Sequence, residues 1–296
     1  MTSQRPKSMT ISSIPNSPSI KPTRRDFLKT TLIASATTAI FGVATKVSAA
    51  EKSDAAVFFE LRAYRFRPGA SADLVHGYLE KAFIPALNAR GLANVGVFTE
   101  VGVDRKALTA AAIPDSPVWV LVTHPTFESF ESVSADLNKD PKVQAAAADY
   151  LQAPKATPAY DRMDTYLMRA FSGMPTLEIP SFSKDKTPTR VFELRHYESH
   201  SEIKAFSKMA MFNDEEIVVM KDLGMSPVFY GQGLAGPNLP HLAYMTGARD
   251  LATHLDNWNK FRVDPRWKAM GRNPKYADNV SKGTNRIVVP TAYSQI

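Results

Sequence analysis

The sequence predicts an α+β protein built from two tandem copies of one βαββαβ unit, and three observations carry this reading. One phrase occurs twice: Phe59-Glu60-Leu61-Arg62-Ala63-Tyr64 returns 133 positions later as Phe192-Glu193-Leu194-Arg195-His196-Tyr197. The same offset relates Gly91-Leu92-Ala93-Asn94-Val95 to Gly224-Met225-Ser226-Pro227-Val228, and it is about ten shorter by the time Asp140-Pro141 meets Asp264-Pro265. Each copy also shows strand-type and helix-type patterning in the same order. A repeat of this length means duplicated structural units, with a longer loop in the first.

The elements follow in order. Val57–Phe66 alternates like a strand, and Pro68-Gly69 ends it. Ser71 is placed to cap a helix to about Arg90, with Leu74, Val75, Tyr78, Leu79 and Phe83 at helical spacing, Pro85 as a possible kink and Gly91 as the stop. Val95–Val103 reads as a second strand, followed by a polar, proline-bearing loop to Pro117. Val118–Thr123 is an apolar third strand, Thr126–Leu137 a short helix, 141–151 a further helical stretch and Tyr160–Phe171 the closing strand. The second copy repeats the order: strand 190–198, helix 202–223, strand 227–232, a Gly/Pro loop across 231–240, strand 241–246, helix 250–261 and a last strand near 285–290. This is the split βαβ, or ferredoxin-like, arrangement. The expected organisation is a leader over 1–49, a first unit over 50–171, a proline-bearing linker over 172–189 and a second unit over 190–296.

The leader reads as an export signal. Residues 2–22 are rich in Ser, Thr and Pro, a composition that does not build a core. Thr23-Arg24-Arg25-Asp26-Phe27-Leu28-Lys29 then precedes an uncharged stretch over 30–45, and Val47-Ser48-Ala49 closes it as a small-residue cleavage site. Paired Arg24 and Arg25 before such a stretch mark twin-arginine export, with cleavage near Ala49 and the twin-arginine translocase as a transient partner. Sixteen uncharged residues, many of them Ala and Thr, are too short and too weakly apolar for a stable membrane anchor. The expected location is periplasmic or secreted.

Charge narrows the partners further. The chain carries +7, but seven of its 36 basic residues and only one of its 29 acidic residues lie within 1–49. The body keeps 29 basic against 28 acidic side chains, so no nucleic-acid partner is expected. There is no cysteine, which excludes disulfides, thiolate metal ligands and a thiol nucleophile. Six scattered histidines without a carboxylate cluster give no metal fingerprint, and no cofactor is expected. His196 and His200 straddle a strand end. His76 and His254 fall on helices, and His124 and His241 at strand ends. Trp258 and Phe261 stand at i, i+3 and read as the buried face of a helix.

Several motifs together resemble the NIPSNAP family. They are the two Phe-Glu-Leu-Arg-x-Tyr strands and, in the second half, Met211-Phe212-Asn213, Pro227-Val228-Phe229-Tyr230-Gly231, Leu242-Ala243-Tyr244-Met245, Trp258-Asn259-Lys260-Phe261, Asp264-Pro265-Arg266-Trp267 and Tyr293-Ser294-Gln295. The resemblance spans nearly all of 57–296. It implies ferredoxin-like units whose antiparallel sheets pair as an α+β barrel, and it implies no settled reaction. Related barrels in the wider superfamily hold haem. The family's Gly-Gly-Glu-like turn reads Asp214-Glu215-Glu216 here.

The candidate site follows from strand alternation. Phe59, Leu61 and Ala63 share one face, opposed by Glu60, Arg62 and Tyr64; the second strand opposes Phe192, Leu194 and His196 to Glu193, Arg195 and Tyr197. The expectation is that the apolar faces pack on each unit's helices, while Glu60, Arg62, Tyr64, Glu193, Arg195 and Tyr197 face a shared interior. Such an interior either grips a small polar or anionic ligand or holds two mutually satisfied Glu–Arg pairs that fix how the halves dock. The functional classes are accordingly a ligand-binding or assembly protein, which could be a homo-oligomer, and an enzyme using the barrel cavity for cofactor-independent oxygenation or isomerisation.

Overall fold

The structure is a computed structural model and describes residues 56–296; the export-signal reading, with Arg24 and Arg25, lies outside the described residues. In the first half β1 (Phe58–Arg65) leads to α1 (Asp73–Tyr78), which continues through a π-helical stretch (Leu79–Phe83) into α2 (Ile84–Ala89). Then come β2 (Gly96–Asp104), β3 (Thr109–Ala112), β4 (Val118–His124), α3 (Phe127–Lys139), α4 (Pro141–Ala146), α5 (Ala148–Leu151) and β5 (Arg162–Ala170). The linker holds one short helix, α6 (Ser181–Lys184). The second half has β6 (Val191–Glu198), α7 (Glu202–Met211), a second π-helical stretch (Phe212–Glu216), α8 (Ile217–Asp222), β7 (Pro227–Ala235), β8 (His241–Ala248), α9 (Leu251–Val263), α10 (Pro265–Arg272) and β9 (Lys282–Pro290).

Local chemistry explains most boundaries. Thr126 and Asp250 cap α3 and α9, each side chain accepting from the amide three residues on. Asp140 and Asp264 cap the helices that follow, each before a proline at the start of its helix. Ser71 accepts from the Asp73 amide, although the helix starts beyond it. Three expectations need correction. The proline-bearing loop before Pro117 contains β3, which pairs with β2 as an exposed hairpin. β7 runs three residues past the expected strand end, into the expected Gly/Pro loop. Both long helices are interrupted by π-helical stretches, and these stand at the same 133-residue offset as the repeated phrase.

The sheet order is β3-β2-β4-β1-β5-β7-β8-β6-β9, with β2 also pairing to β9. Eight strands therefore close into an antiparallel barrel, and β3 hangs outside on β2. Each half contributes its strands in the ferredoxin-like order, and the halves join twice, β5 to β7 and β9 to β2. The two seams are equivalent by the repeat, so one chain builds a pseudo-twofold barrel. Closure removes the open strand edges that two separate sheets would expose.

The interior is filled. Phe59, Leu61, Ala63, Phe98, Trp119, Leu121 and Met168 meet Phe192, Leu194, Phe229, Ala243, Met245 and Val288 there, all fully buried. Outside the barrel, α1, α2 and α3 cover Tyr64, Val118, Val120 and Val122, while α7, α8 and α9 cover Tyr230, Leu242 and Tyr244. The facing expected from the sequence is thus reversed. The apolar faces of β1 and β6 line the barrel, and the Glu-Arg-Tyr faces lie beneath the helices. The reason is size. An eight-stranded barrel is just wide enough for its own side chains and has no room for solvated charge, whereas the helical layer can supply partners.

His196 follows the apolar face inward and is buried. Among the described residues neither of its ring nitrogens has a hydrogen-bond partner, and the buried ring of His241 is centred 6.0 Å away. Burial, then Arg286 and His241, push His196 down to about 3. A folded value below the unfolded 6.5 means stability that is complete above pH 6.5 and lost as pH falls from there towards 3. Denaturant melts should show a loss of about 1.4 kcal/mol per pH unit from this one group below pH 6.5. His196→Ala, which installs the first copy's Ala63, should flatten that slope by one proton. An unchanged slope would contradict the assignment.

Candidate functional site

Each Glu-Arg-Tyr set recruits a histidine, but from a different place. In the first half Arg62 Nε donates to Glu60 Oε1 at 2.6 Å, and His124 Nε2, at the end of β4, stands 3.2 Å from Glu60 Oε2. Arg62 Nη2 donates to Ser134 Oγ on α3 at 3.4 Å, and the guanidinium lies 4.7 Å over the Phe83 ring. Burial pushes the Glu60 carboxyl up, but Arg62 and the bond with His124 outweigh it and hold the group below its ordinary value. Burial works against the Arg62 cation, and Glu60 more than offsets it. Tyr64 is buried against Tyr160. Side-chain exposures of 6% and 4% for Arg62 and Glu60 show a closed set.

In the second half Arg195 Nη1 donates to Glu193 Oε1 at 2.9 Å and Nε to Tyr197 Oη at 3.0 Å, and Tyr197 meets the Tyr244 hydroxyl at 3.0 Å. The guanidinium stacks 4.4 Å over Trp258. The histidine comes from α9: His254 Nε2 is 3.1 Å from Glu193 Oε2. The contact is an ion-pair distance without hydrogen-bond alignment, so among the described residues Glu193 Oε2 lacks a well-formed bond, as does the buried Trp258 Nε1. Burial pushes Glu193 up, but His254 and Arg195 prevail and hold it below the ordinary carboxylate value. Burial raises the Tyr197 and Tyr244 hydroxyls, so both stay protonated donors at neutral pH.

This second set opens onto a cavity of about 240 Å³ between β6, α9 and α10. Trp258, Phe261 and Trp267 form an aromatic wall, with Phe261 and Trp267 ring centres 4.6 Å apart. Glu193, Arg195, Tyr197, Glu216 and His254 supply the polar wall. Arg262 and Arg105 stand at the cavity, Arg105 from the β2–β3 turn of the first half, where Asp104 Oδ1 accepts from the Lys106 amide and fixes the turn. A larger groove of about 570 Å³ runs along 66–74 and 156–161, but none of its walls is a buried residue. The 240 Å³ cavity is the better candidate because buried, incompletely bonded polar groups face it.

The first copy serves as an internal control. At the repeat offsets, Lys208 and Glu216 occupy the places of Val75 and Phe83, and His254 and Trp258 those of Phe130 and Ser134. Where the first copy packs Phe83 beneath its arginine, the second has a buried Lys208–Glu216 pair at 2.7 Å, its ammonium 4.5 Å over the Phe212 ring. Glu216 ends the second π-helical stretch, at the place of the Gly-Gly-Glu-like turn. Such stretches recur at functional sites. Of the six residues expected from sequence, Glu193, Arg195 and Tyr197 line this cavity, and Glu60, Arg62 and Tyr64 form a separate, sealed set. Sequence reasoning did not single out Lys208, Arg105 or the parts played by Glu216 and His254. The usable signal was there: a charged residue in one copy opposite an apolar one in the other. Among the described residues no group of three His, Asp or Glu side chains is placed to hold a metal ion, and no helix is long and apolar enough to cross a membrane.

Residues 192–295 match the NIPSNAP family model. No curated protein matches the chain in sequence. Among solved structures, the chain is similar to a candidate monooxygenase from Lactobacillus acidophilus NCFM (9% identity, 79% of this chain and 94% of that one, TM-score 0.48). It is similar over a shorter span to a NIPSNAP family protein from Agrobacterium tumefaciens C58 (22% identity, 36% and 96%, TM-score 0.32). A heme-binding protein from Thermus thermophilus resembles it at 10% identity, over 80% and 92% of the two chains, with a TM-score of 0.39.

Proposed function

We propose that the protein binds a small anionic molecule with a planar, ring-like body in the cavity of its second half. The carrying observation is the asymmetry of the repeat: the same Glu-Arg-Tyr set is sealed in one copy and opens onto a 240 Å³ space in the other. Size and wall chemistry define the ligand class. A dry cavity of about 150 Å³ holds benzene, so this one suits a single ring with a substituent, seated on Trp258 and Trp267. Charge defines the rest. Glu193 is balanced by Arg195 and Glu216 by Lys208, which leaves Arg105 and Arg262 unneutralised among the described residues. A carboxylate is the complementary group, and guanidinium is the donor that matches its geometry. This reading places the ligand outside the barrel, whose interior is packed.

Trp258 and Trp267 in the wall make binding visible. Benzoate should change the intrinsic tryptophan fluorescence saturably, benzyl alcohol should do so far more weakly, and Arg105→Met with Arg262→Met should lose the benzoate response. Equal responses to both compounds, or none to benzoate, would contradict the proposal.

Export through the twin-arginine route is part of the same proposal, supported by Arg24-Arg25 and the stretch that follows. Arg24→Lys with Arg25→Lys should stop mature protein accumulating in the periplasm. Undiminished periplasmic protein in a cell fractionation would overturn this part.

A further inference from the structure

From the arrangement of His254, Glu193 and Arg195 around the cavity, we infer that the protein moves a proton on carbon: it enolises a small 2-oxo acid carrying an aromatic ring. The inference rests on the binding proposal above and adds a reaction to it. His254 Nε2 faces the Glu193 carboxylate at 3.1 Å. That proximity favours the tautomer with its proton on Nε2 and leaves Nδ1, without a hydrogen-bond partner among the described residues, as the nitrogen free to act on a molecule in the cavity that His254 lines. A carboxylate behind an imidazole orients it and stabilises the imidazolium formed when it takes a proton. Glu193 is held below the ordinary carboxylate value, and so ionised for this part, by its contacts with His254 and Arg195. Arg195 sits on the same carboxylate, stacked on Trp258, and its Nη2 makes no hydrogen bond among the described residues. It is a fixed cation beside the base, where negative charge would develop.

The step balances without a co-reactant. His254 takes the proton from the carbon next to the keto group. The C–H electron pair forms the new C=C bond, and the carbonyl π pair moves onto oxygen, whose charge Arg195 faces. The imidazolium then returns the proton to oxygen, giving the enol, or to carbon, giving back the ketone. Nothing is oxidised or reduced. The ring seats on Trp258 and Trp267, and the carboxylate meets Arg262 and Arg105. The first copy carries Phe130 in place of His254, and its own histidine, His124, lies wholly buried at a strand end. That copy has the charge pair but no base facing a cavity, so the duplication separates a structural version of the set from a reactive one.

Phenylpyruvate tests this directly. In D₂O, exchange of its methylene protons followed by NMR should be at least about 100-fold faster with the protein than with buffer, the lower range for a positioned general base. His254→Ala should reduce exchange to near background while still binding phenylpyruvate by tryptophan fluorescence, and added imidazole should restore part of the rate. If His254→Ala fails to fold, His254→Gln takes its place, with the same expected loss and retained binding. Wild-type binding without accelerated exchange overturns the inference and leaves the binding proposal intact. Absence of binding overturns both. Acceleration that survives substitution of His254 overturns the assignment of the base.

Discussion

Arg62→Met should lower the unfolding free energy by about 3–5 kcal/mol, because it leaves the Glu60 carboxylate buried and without its cation. Glu60 and Arg62 expose only 4% and 6% of their side chains, so water cannot take over. His124 and Ser134 remain as partial partners, which keeps the cost from rising further. In a domain of this size such a loss corresponds to roughly 10 °C or more in melting temperature. The double variant Glu60→Gln with Arg62→Met should recover part of it, since a neutral amide is cheaper to bury than a lone charge. The counterpart, Arg195→Met, should cost less, because Arg195 is 17% exposed at the cavity and Glu193 keeps His254. Thermal melts of the three variants separate the cases. Equal costs in the two halves would mean that the sets are equivalent and that the asymmetry has no consequence.

The second large effect concerns Lys208. Lys208→Val alone strands Glu216, whose side chain is 2% exposed, and should cost about 3–5 kcal/mol for the same reason. Adding Glu216→Phe transplants the Val75 and Phe83 arrangement of the first copy, where the ring lies beneath the arginine. The stability should return, because replacing a buried ion pair by packed apolar groups is often neutral or better. The cavity, however, should close. Stability and binding are thereby uncoupled: the double variant should melt like the wild type and bind nothing.

How much of this was legible in the sequence depends on the kind of information. The order of strands and helices was, because alternation in β1 and β6 and the helical spacing of Leu74, Val75, Tyr78, Leu79 and Phe83 are local patterns. The grouping of Glu193, Arg195 and Tyr197 on one face was legible for the same reason. Which face points inward was not. Both faces of β1 and β6 are covered, one by the barrel and one by helices, so burial is nearly continuous along each strand and alternation separates the faces without ranking them. The π-helical stretches were hidden because nothing in Leu79–Phe83 or Phe212–Glu216 breaks helical patterning. β3 was missed because Thr109–Ala112 is wholly exposed and shows no apolar alternation. The cavity depends on residues from five separated segments, among them Arg105 from the other half, and no local pattern joins those.

The central claim is that the open Glu-Arg-Tyr set of the second half holds an anionic ring-bearing ligand. Calorimetric titration of phenylpyruvate into the wild type and into the Lys208→Val, Glu216→Phe double variant tests it most directly. The account predicts one site per wild-type chain and no measurable binding to a double variant whose melting temperature is unchanged. Equal affinity in the two proteins would place the ligand elsewhere and contradict it.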